Sequence, residues 1–284
     1  MRRTLPLLLL VQVTGCLAAV GGSSHCAWKV CVSYVDGAMG RDYTATNQEP
    51  VPVTIALNFR SLENLRPPPG GRVERVVPPR TTVDLAHLAT FERNAPVGAS
   101  VTIEIDLGSS TNEIDGDVVY AVPFGGAEPR ELIQGFGGLE THMASMEYSL
   151  DFAMPEGTPV LAAREGTVLL VQDGFTEGGT DPKLLERANL VVVAHSDGSM
   201  ASYGHLKKGV RVRVGDRVDE GTLLGMSGAT GFAGQPHLHF HVGIRMLGEP
   251  GRTIPIAMRD GGGALVDLTV GARVEPATRR YGRE

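Results

Sequence analysis

Between residues 26 and 106, apolar and polar positions alternate with a period of two. Residues 28–34, 51–59 and 101–106 each set every second side chain apolar, the pattern of strands with one buried face. Pro67-Pro68-Pro69-Gly70-Gly71 and Pro78-Pro79-Arg80 punctuate these runs. The pattern predicts a small immunoglobulin-like β-sandwich over residues 26–112, closed by the turn-rich linker Gly108-Ser109-Ser110-Thr111-Asn112. Residues 117–124 then read as a strand entering a second domain, residues 113–284. Further strands are predicted at 160–171, 190–194, 200–206 and 237–244, with Val168-Leu169-Leu170-Val171 buried on both faces. Residues 173–187 form a Gly- and charge-rich insertion with a helical turn expected at 182–187, long enough to make a groove wall. The predicted fold class is all-β.

Composition narrows the setting. A chain of 284 residues accommodates two cores, and 37 glycines suit a turn-rich β protein. The net charge of −6 gives no electrostatic reason to expect nucleic acid as a partner. Residues 1–18 are a signal peptide: Met1-Arg2-Arg3 is a positive start, and the apolar run 7–13 is too short to span a bilayer. Val13-Thr14-Gly15-Cys16 fits a lipobox, which would leave a lipid anchor on Cys16; ordinary cleavage near Ala18 would discard that cysteine. Either way the protein is expected to be exported to the periplasm or cell envelope. Without Cys16, Cys26 and Cys31 remain as an even pair in an oxidising compartment, and a disulfide between them is expected.

The chemistry gathers in the second half. His237-Leu238-His239 lies in a predicted strand, so both rings share one face. Two polar rings on one face need partners or a metal. With His205 and Asp151 they supply the materials of a catalytic zinc site, in which one histidine holds metal and another stands beside water. The helical His-Glu-x-x-His arrangement is absent, so a histidine rather than a glutamate must handle the proton.

Five segments, in order, resemble the lysostaphin/LytM-type zinc endopeptidases, which cut the peptide part of bacterial peptidoglycan. They are 151–160, Tyr203-Gly204-His205-Leu206, Val214-Gly215-Asp216-Arg217-Val218, the run from Gly225-Met226-Ser227-Gly228 through Thr230-Gly231, and Pro236-His237-Leu238-His239-Phe240. The resemblance spans roughly residues 131–242. It implies an antiparallel β-sheet peptidase domain, one Zn2+, and a peptidoglycan peptide as substrate. By position, Asp151 and His239 would be ligands, and His205 and His237 the catalytic pair. The family's first ligand usually lies four residues before the Asp, where this chain has Glu147; the nearest upstream histidine is His142. A subgroup with Ser/Thr-His ahead of Tyr-x-x-Asp-Phe looks similar to Thr141-His142 and Tyr148-Ser149-Leu150-Asp151-Phe152. His142 with Asp151 and His239 leaves a net charge of about +1 on the centre, and the less neutralised ion is the better Lewis acid. The expected metal set is therefore His142, Asp151 and His239, with Glu147 the alternative to His142.

Other residues carry less. His241 continues the His-x-His face as an edge residue, His195 precedes the turn Ser196-Asp197-Gly198, His87 reads as half-buried and structural, and Tyr203 as packed or turned toward the cleft. Two rival functions remain at this level. One is a degenerate domain that binds cell wall or activates a separate wall hydrolase. The other is an adhesin-like β protein whose metal is structural, closed by a fourth ligand such as His241.

Overall fold

The structure, a computed structural model, describes residues 12–13, 24–109, 114, 116–138, 141–244 and 251–277. The lipobox cysteine Cys16, nearly all of the signal segment and most of the linker at 108–112 lie outside the described residues. The chain separates into two compact units, each described here by itself. No helix among the described residues is long and apolar enough to cross a membrane.

The first unit holds two antiparallel sheets. In one, Val53–Glu63 pairs with Arg72–Val77 and Gly98–Leu107; in the other, the order is Ser24–Ala27, Val30–Gly37, Gly40–Asn47 and Thr81–Ala89. Alternation puts Val32, Tyr34, Tyr43 and Ala45 from one sheet, and Ile55, Leu57, Ile103 and Ile105 from the other, into a single hydrophobic cluster. The predicted strand at 28–34 begins later, at Val30, and is the second arm of a hairpin: Trp28 takes φ 52° at the turn, and Cys26 and Cys31 face each other in register and are disulfide-bonded. His87 is more exposed than the sequence suggests. Its side chain is 51% accessible, with Nδ1 2.6 Å from Asp42 Oδ1.

The second unit is organised by one mainly antiparallel sheet. Along it run Arg217–Val218, Gly166–Gln172, Leu190–Ala194, Met200–Gly204, His237–Ile244, Ser149–Ala153 and Arg130–Gln134. Phe152, Tyr203, Leu238, Phe240 and Val242 point into its core. Three sequence expectations change here. The run at 117–124 contributes only Val119–Ala121 as strand, and 160–171 is broken into Pro159–Leu161 and Gly166–Gln172. Leu170 and Val171 are only half-buried, because the pairing register shifts between Val168 and Leu170. A β-bulge there breaks the strict alternation of faces. The expected helical turn is a 3-10 turn at Pro182–Leu184, capped where Asp181 Oδ1 accepts the Lys183 N–H.

Candidate metal centre

The central His237–Ile244 strand lies between Ser149–Ala153 and Met200–Gly204, antiparallel to both. Period two sends Leu238, Phe240 and Val242 to the core and leaves His237, His239 and His241 on the opposite face. Register then pairs Asp151 with His239 on one side and Gly204 with His239 on the other. Directly opposed residues bring side chains close, so the carboxylate meets the imidazole. A Cβ on Gly204 would stand 3.4 Å from His239 Cβ, so glycine leaves the ring its room.

His142 reaches the same spot through a turn. Its Nδ1–H donates to Gly135 O at 2.9 Å, and Gly137, at φ 69°, donates its N–H to Glu147 O at 2.7 Å. Glu147 thus takes part through its backbone, while its side chain is exposed. His142 is fully buried. Ligand atoms of His142, Asp151 and His239 all lie within 4.8 Å of one another. With Nδ1 committed as donor, His142 Nε2 presents a lone pair; it lies 3.3 Å from Asp151 Oδ1 and has no hydrogen-bond partner. Two acceptors face each other in a buried place, an arrangement that calls for a cation between them. The donor set, two imidazole nitrogens and a carboxylate oxygen, fits zinc.

His239 Nδ1 lies 2.8 Å from the same Asp151 Oδ1, and His239 Nε2 lies 3.1 Å from His241 Nδ1. Burial, reinforced by the charges of His239 and His142, pushes the His241 pKa well down. Its contact is with the far nitrogen of His239, as an orienting partner. Burial also disfavours the Asp151 carboxylate, but the facing His142 and His239 outweigh it and hold the carboxyl well below its ordinary range. Burial likewise opposes protonation of His142, and Asp151 overcomes it and raises the pKa; a proton and a metal compete for that gap.

His205 and His237 stand next to this cluster, their ring centroids 4.5 Å apart. His205 ends the Met200–Gly204 strand at φ 60°, an uncommon conformation for a side-chain-bearing residue. Its Nδ1–H donates to Thr230 O at 2.7 Å, and His237 Nδ1–H donates to Gln235 O at 2.9 Å. A neutral ring held in this way leaves its Nε2 as the acceptor. His237 Nε2 is 3.9 Å from Asp151 Oδ1. Burial, with the charges of His237 and His239, pushes the His205 pKa down to about 3. Tyr203 is fully packed, and its hydroxyl accepts the Ala163 N–H at 2.8 Å within the core.

Three positions matter here to which the sequence reading gave no role: Gly204 and Thr230, which lie in the matched motifs, and Asn189. Thr230 Oγ1 donates to Leu206 O at 2.9 Å and accepts the Asn189 N–H at 2.9 Å. Asn189, fully buried, donates Nδ2–H to Phe175 O at 2.8 Å and to Leu206 O at 3.0 Å, and its Oδ1 accepts the Phe175 N–H at 2.9 Å. The 173–187 insertion is thereby tied to the carbonyl that holds His205. A polar residue just ahead of the apolar run 190–194 is the signal that could have marked it. Beside the pair opens a groove of about 470 Å³, with Phe175 from the insertion on one wall and Thr230, Gln235 and Pro236 on another.

His195 lies in a separate polar cluster. Arg164 Nη1 donates to Asp197 Oδ2 at 2.8 Å and to the Tyr120 hydroxyl at 3.4 Å, and Ser199 Oγ donates to Asp197 Oδ1 at 2.7 Å. His195 Nδ1–H donates to Glu165 O at 2.7 Å beside the tight turn that joins two sheet strands.

Residues 145–250 match the model of Peptidase family M23, a segment that begins just after His142. The chain is 37% identical over 95 residues to the peptidoglycan DD-endopeptidase ShyA of Vibrio cholerae, covering 34% of this chain and 20% of that protein. It is 40% identical over 94 residues to the glycyl-glycine endopeptidase ALE-1 of Staphylococcus capitis, covering 33% of this chain and 23% of the other. The chain thus spans less than a quarter of the length of either relative. Among solved structures, the catalytic domain of lysostaphin from Staphylococcus simulans aligns at 30% identity and a TM-score of 0.30, over 43% of this chain and 84% of that one. The matched segment, residues 145–250, is thus similar to the M23, lysostaphin/LytM-type peptidases, and Asp151 and His239 of the His/Asp/His cluster lie within it.

Proposed function

We propose that the protein is a zinc-dependent endopeptidase that hydrolyses peptide cross-links or stems of bacterial peptidoglycan, with one Zn2+ held by His142, Asp151 and His239. The observation that supports this reading is the buried Nε2 of His142, which makes no hydrogen bond and faces a carboxylate oxygen at 3.3 Å. Three protein ligands leave a coordination position open, as catalytic zinc requires. Zinc held there supplies Lewis acidity toward an amide carbonyl and water. His237, whose Nε2 is an acceptor near Asp151, takes the proton of the attacking water, and the carboxylate stabilises the imidazolium that forms. His205, on the same wall, acts when its Nε2 has received the proton that His237 takes from water: that N–H then stabilises the developing oxyanion or passes to the departing amine, and burial of the ring makes the charged form a strong donor. The name of ShyA, a peptidoglycan DD-endopeptidase, supports the substrate class, and that of ALE-1, a glycyl-glycine endopeptidase, supports the reaction.

The same proposal assigns residues 1–18 to export toward the periplasm or cell envelope, with lipid attachment at Cys16. It assigns residues 26–112 to an immunoglobulin-like β-sandwich that acts as a spacer or docking module, and residues 113–284 to the peptidase domain. Elemental analysis of the mature protein tests the centre. About one zinc per chain is expected, lost in His142→Ala and kept in Glu147→Ala. Purified peptidoglycan should be cut by the parent and left intact by a His237→Ala variant that still holds its zinc. A parent that binds zinc, cuts nothing and captures a wall amidase would be a regulator instead.

A further inference from the structure

The groove beside the centre carries a charge bias that the chemistry above does not use. Its rim includes Lys207, Lys208 and Glu156, two cations against one anion on a chain of net charge −6. All three side chains are exposed. Every ion pair among the described residues is made by an arginine or a histidine, which leaves both lysine ammoniums uncompensated. The acids of the adjoining wall make no ion pair with either lysine. Asp173 accepts the backbone N–H groups of Gly209 and Val210 with both oxygens, and Glu177 pairs with Arg187 at 3.1 Å.

The lysines are also anchored relative to the reacting groups. Lys207 follows His205 by two residues, and its backbone N–H donates to Met226 O at 2.8 Å. Gly228 makes this close approach possible, since a Cβ there would meet Lys207 N at 2.7 Å and His205 O at 3.0 Å. Two residues of chain span about 7 Å, and a lysine side chain adds about 6 Å, so each ammonium reaches a ligand group within about three peptide residues of the His205–His237 pair. A concave rim of positive charge on an otherwise acidic protein concentrates anions locally and steers them inward.

We propose that the groove selects peptides bearing free carboxylates within about three residues of the cleaved amide, with Lys207 and Lys208 as the residues that determine this specificity. The proposal rests on the endopeptidase reading, so its test reads binding rather than turnover. Zinc-loaded full-length His237→Ala protein is titrated calorimetrically with a cross-linked stem-peptide dimer whose carboxylates are free, and with the same dimer converted to carboxamides. The zinc-free parent gives the same comparison with no substitution at His237. The free-carboxylate form should bind about fivefold tighter at low salt, the sum of two exposed ion pairs. That advantage should fall below about twofold in Lys207→Gln/Lys208→Gln, and in 0.3 M salt. Equal binding of both forms, an advantage that survives the double substitution, or binding of neither form overturns the proposal. Lysine-dependent binding of the free-carboxylate dimer supports it even where the parent leaves that dimer uncut; the endopeptidase reading alone would then fall.

Discussion

Two buried imidazoles in the second unit, His142 and His195, lack any hydrogen-bond partner at Nε2. Each donates Nδ1–H to a backbone carbonyl, His142 to Gly135 O and His195 to Glu165 O. Their tautomers and burial match, yet they face different surroundings. His142 Nε2 faces Asp151 Oδ1, with His239 Nδ1 on the same oxygen. His195 lies edge-on to the Tyr120 ring at a centroid distance of 5.6 Å, beside an Arg164–Asp197 pair that is already closed. An orphan nitrogen by itself therefore marks only a cost. It marks a metal site when further acceptors converge on the same point, because only a cation satisfies several lone pairs at once.

The largest effect should separate the two rings outright. His142→Ala should lose zinc and with it at least a hundredfold in peptidoglycan cleavage, whereas His195→Asn should keep both within about twofold. Parallel zinc analysis and turbidity assays on both variants check this; equal losses would end the distinction. Zinc binding should next appear as stability. At a free zinc concentration about a thousandfold over Kd, the parent gains about 4 kcal/mol against unfolding, and the gain vanishes in His142→Ala. Thermal unfolding with and without zinc reads it, and an unchanged gain in His142→Ala would remove that residue from the ligand set.

The closed cluster should behave in the opposite way. Asp197→Ala removes the main partner of Arg164, whose side chain is only 11% accessible and keeps just the Tyr120 hydroxyl at 3.4 Å and Glu165 at 3.8 Å, and should cost roughly 3 kcal/mol without changing zinc content. Thr230→Val is smaller. It removes the hydroxyl between Asn189 N–H and Leu206 O and should cost about 2 kcal/mol. Because the Thr230 carbonyl holds His205 Nδ1–H, this variant should also lower kcat more than it raises KM. Loss of stability alone would make Thr230 a packing residue only.

Much of this contrast was legible before any fold was known. Period two placed His237, His239 and His241 on one face, and the Tyr203-to-Leu206 context lifted His205 above an ordinary core histidine. What pattern alone could not supply was register. That Asp151 stands opposite His239, and Gly204 on the other flank, depends on how three strands slide past one another. The choice between His142 and Glu147 rested on charge, whereas the turn at residues 135–138 decides which side chain points inward. Local apolar runs misled in one place. Residues 168–171 read as doubly buried because a register shift after Val168 cannot be seen in composition. The roles of Asn189 and Thr230 went unread for a related reason, since their partners lie 14 to 41 residues away.

The smallest effect tests the bland member of the pair. Burial, helped by the Arg164 charge and opposed by the bond to Glu165 O, lowers the His195 pKa from its ordinary 6.5. The unfolded chain then takes up a proton near pH 6.5 that the folded chain refuses, so this contribution to stability is complete above that pH and is lost as pH falls below it toward the folded value. The slope for one such group is bounded by about 1.4 kcal/mol per pH unit. Unfolding midpoints of parent and His195→Asn, compared between about pH 7.5 and 5.5, should show the smaller acid loss in the variant. His205 and His241, whose pKa values are also pushed down by burial, add to the acid loss, and His142, whose pKa Asp151 raises, offsets it. Identical acid slopes would mean that His195 accepts its proton at no cost, and that its orphan nitrogen finds relief the static structure does not hold.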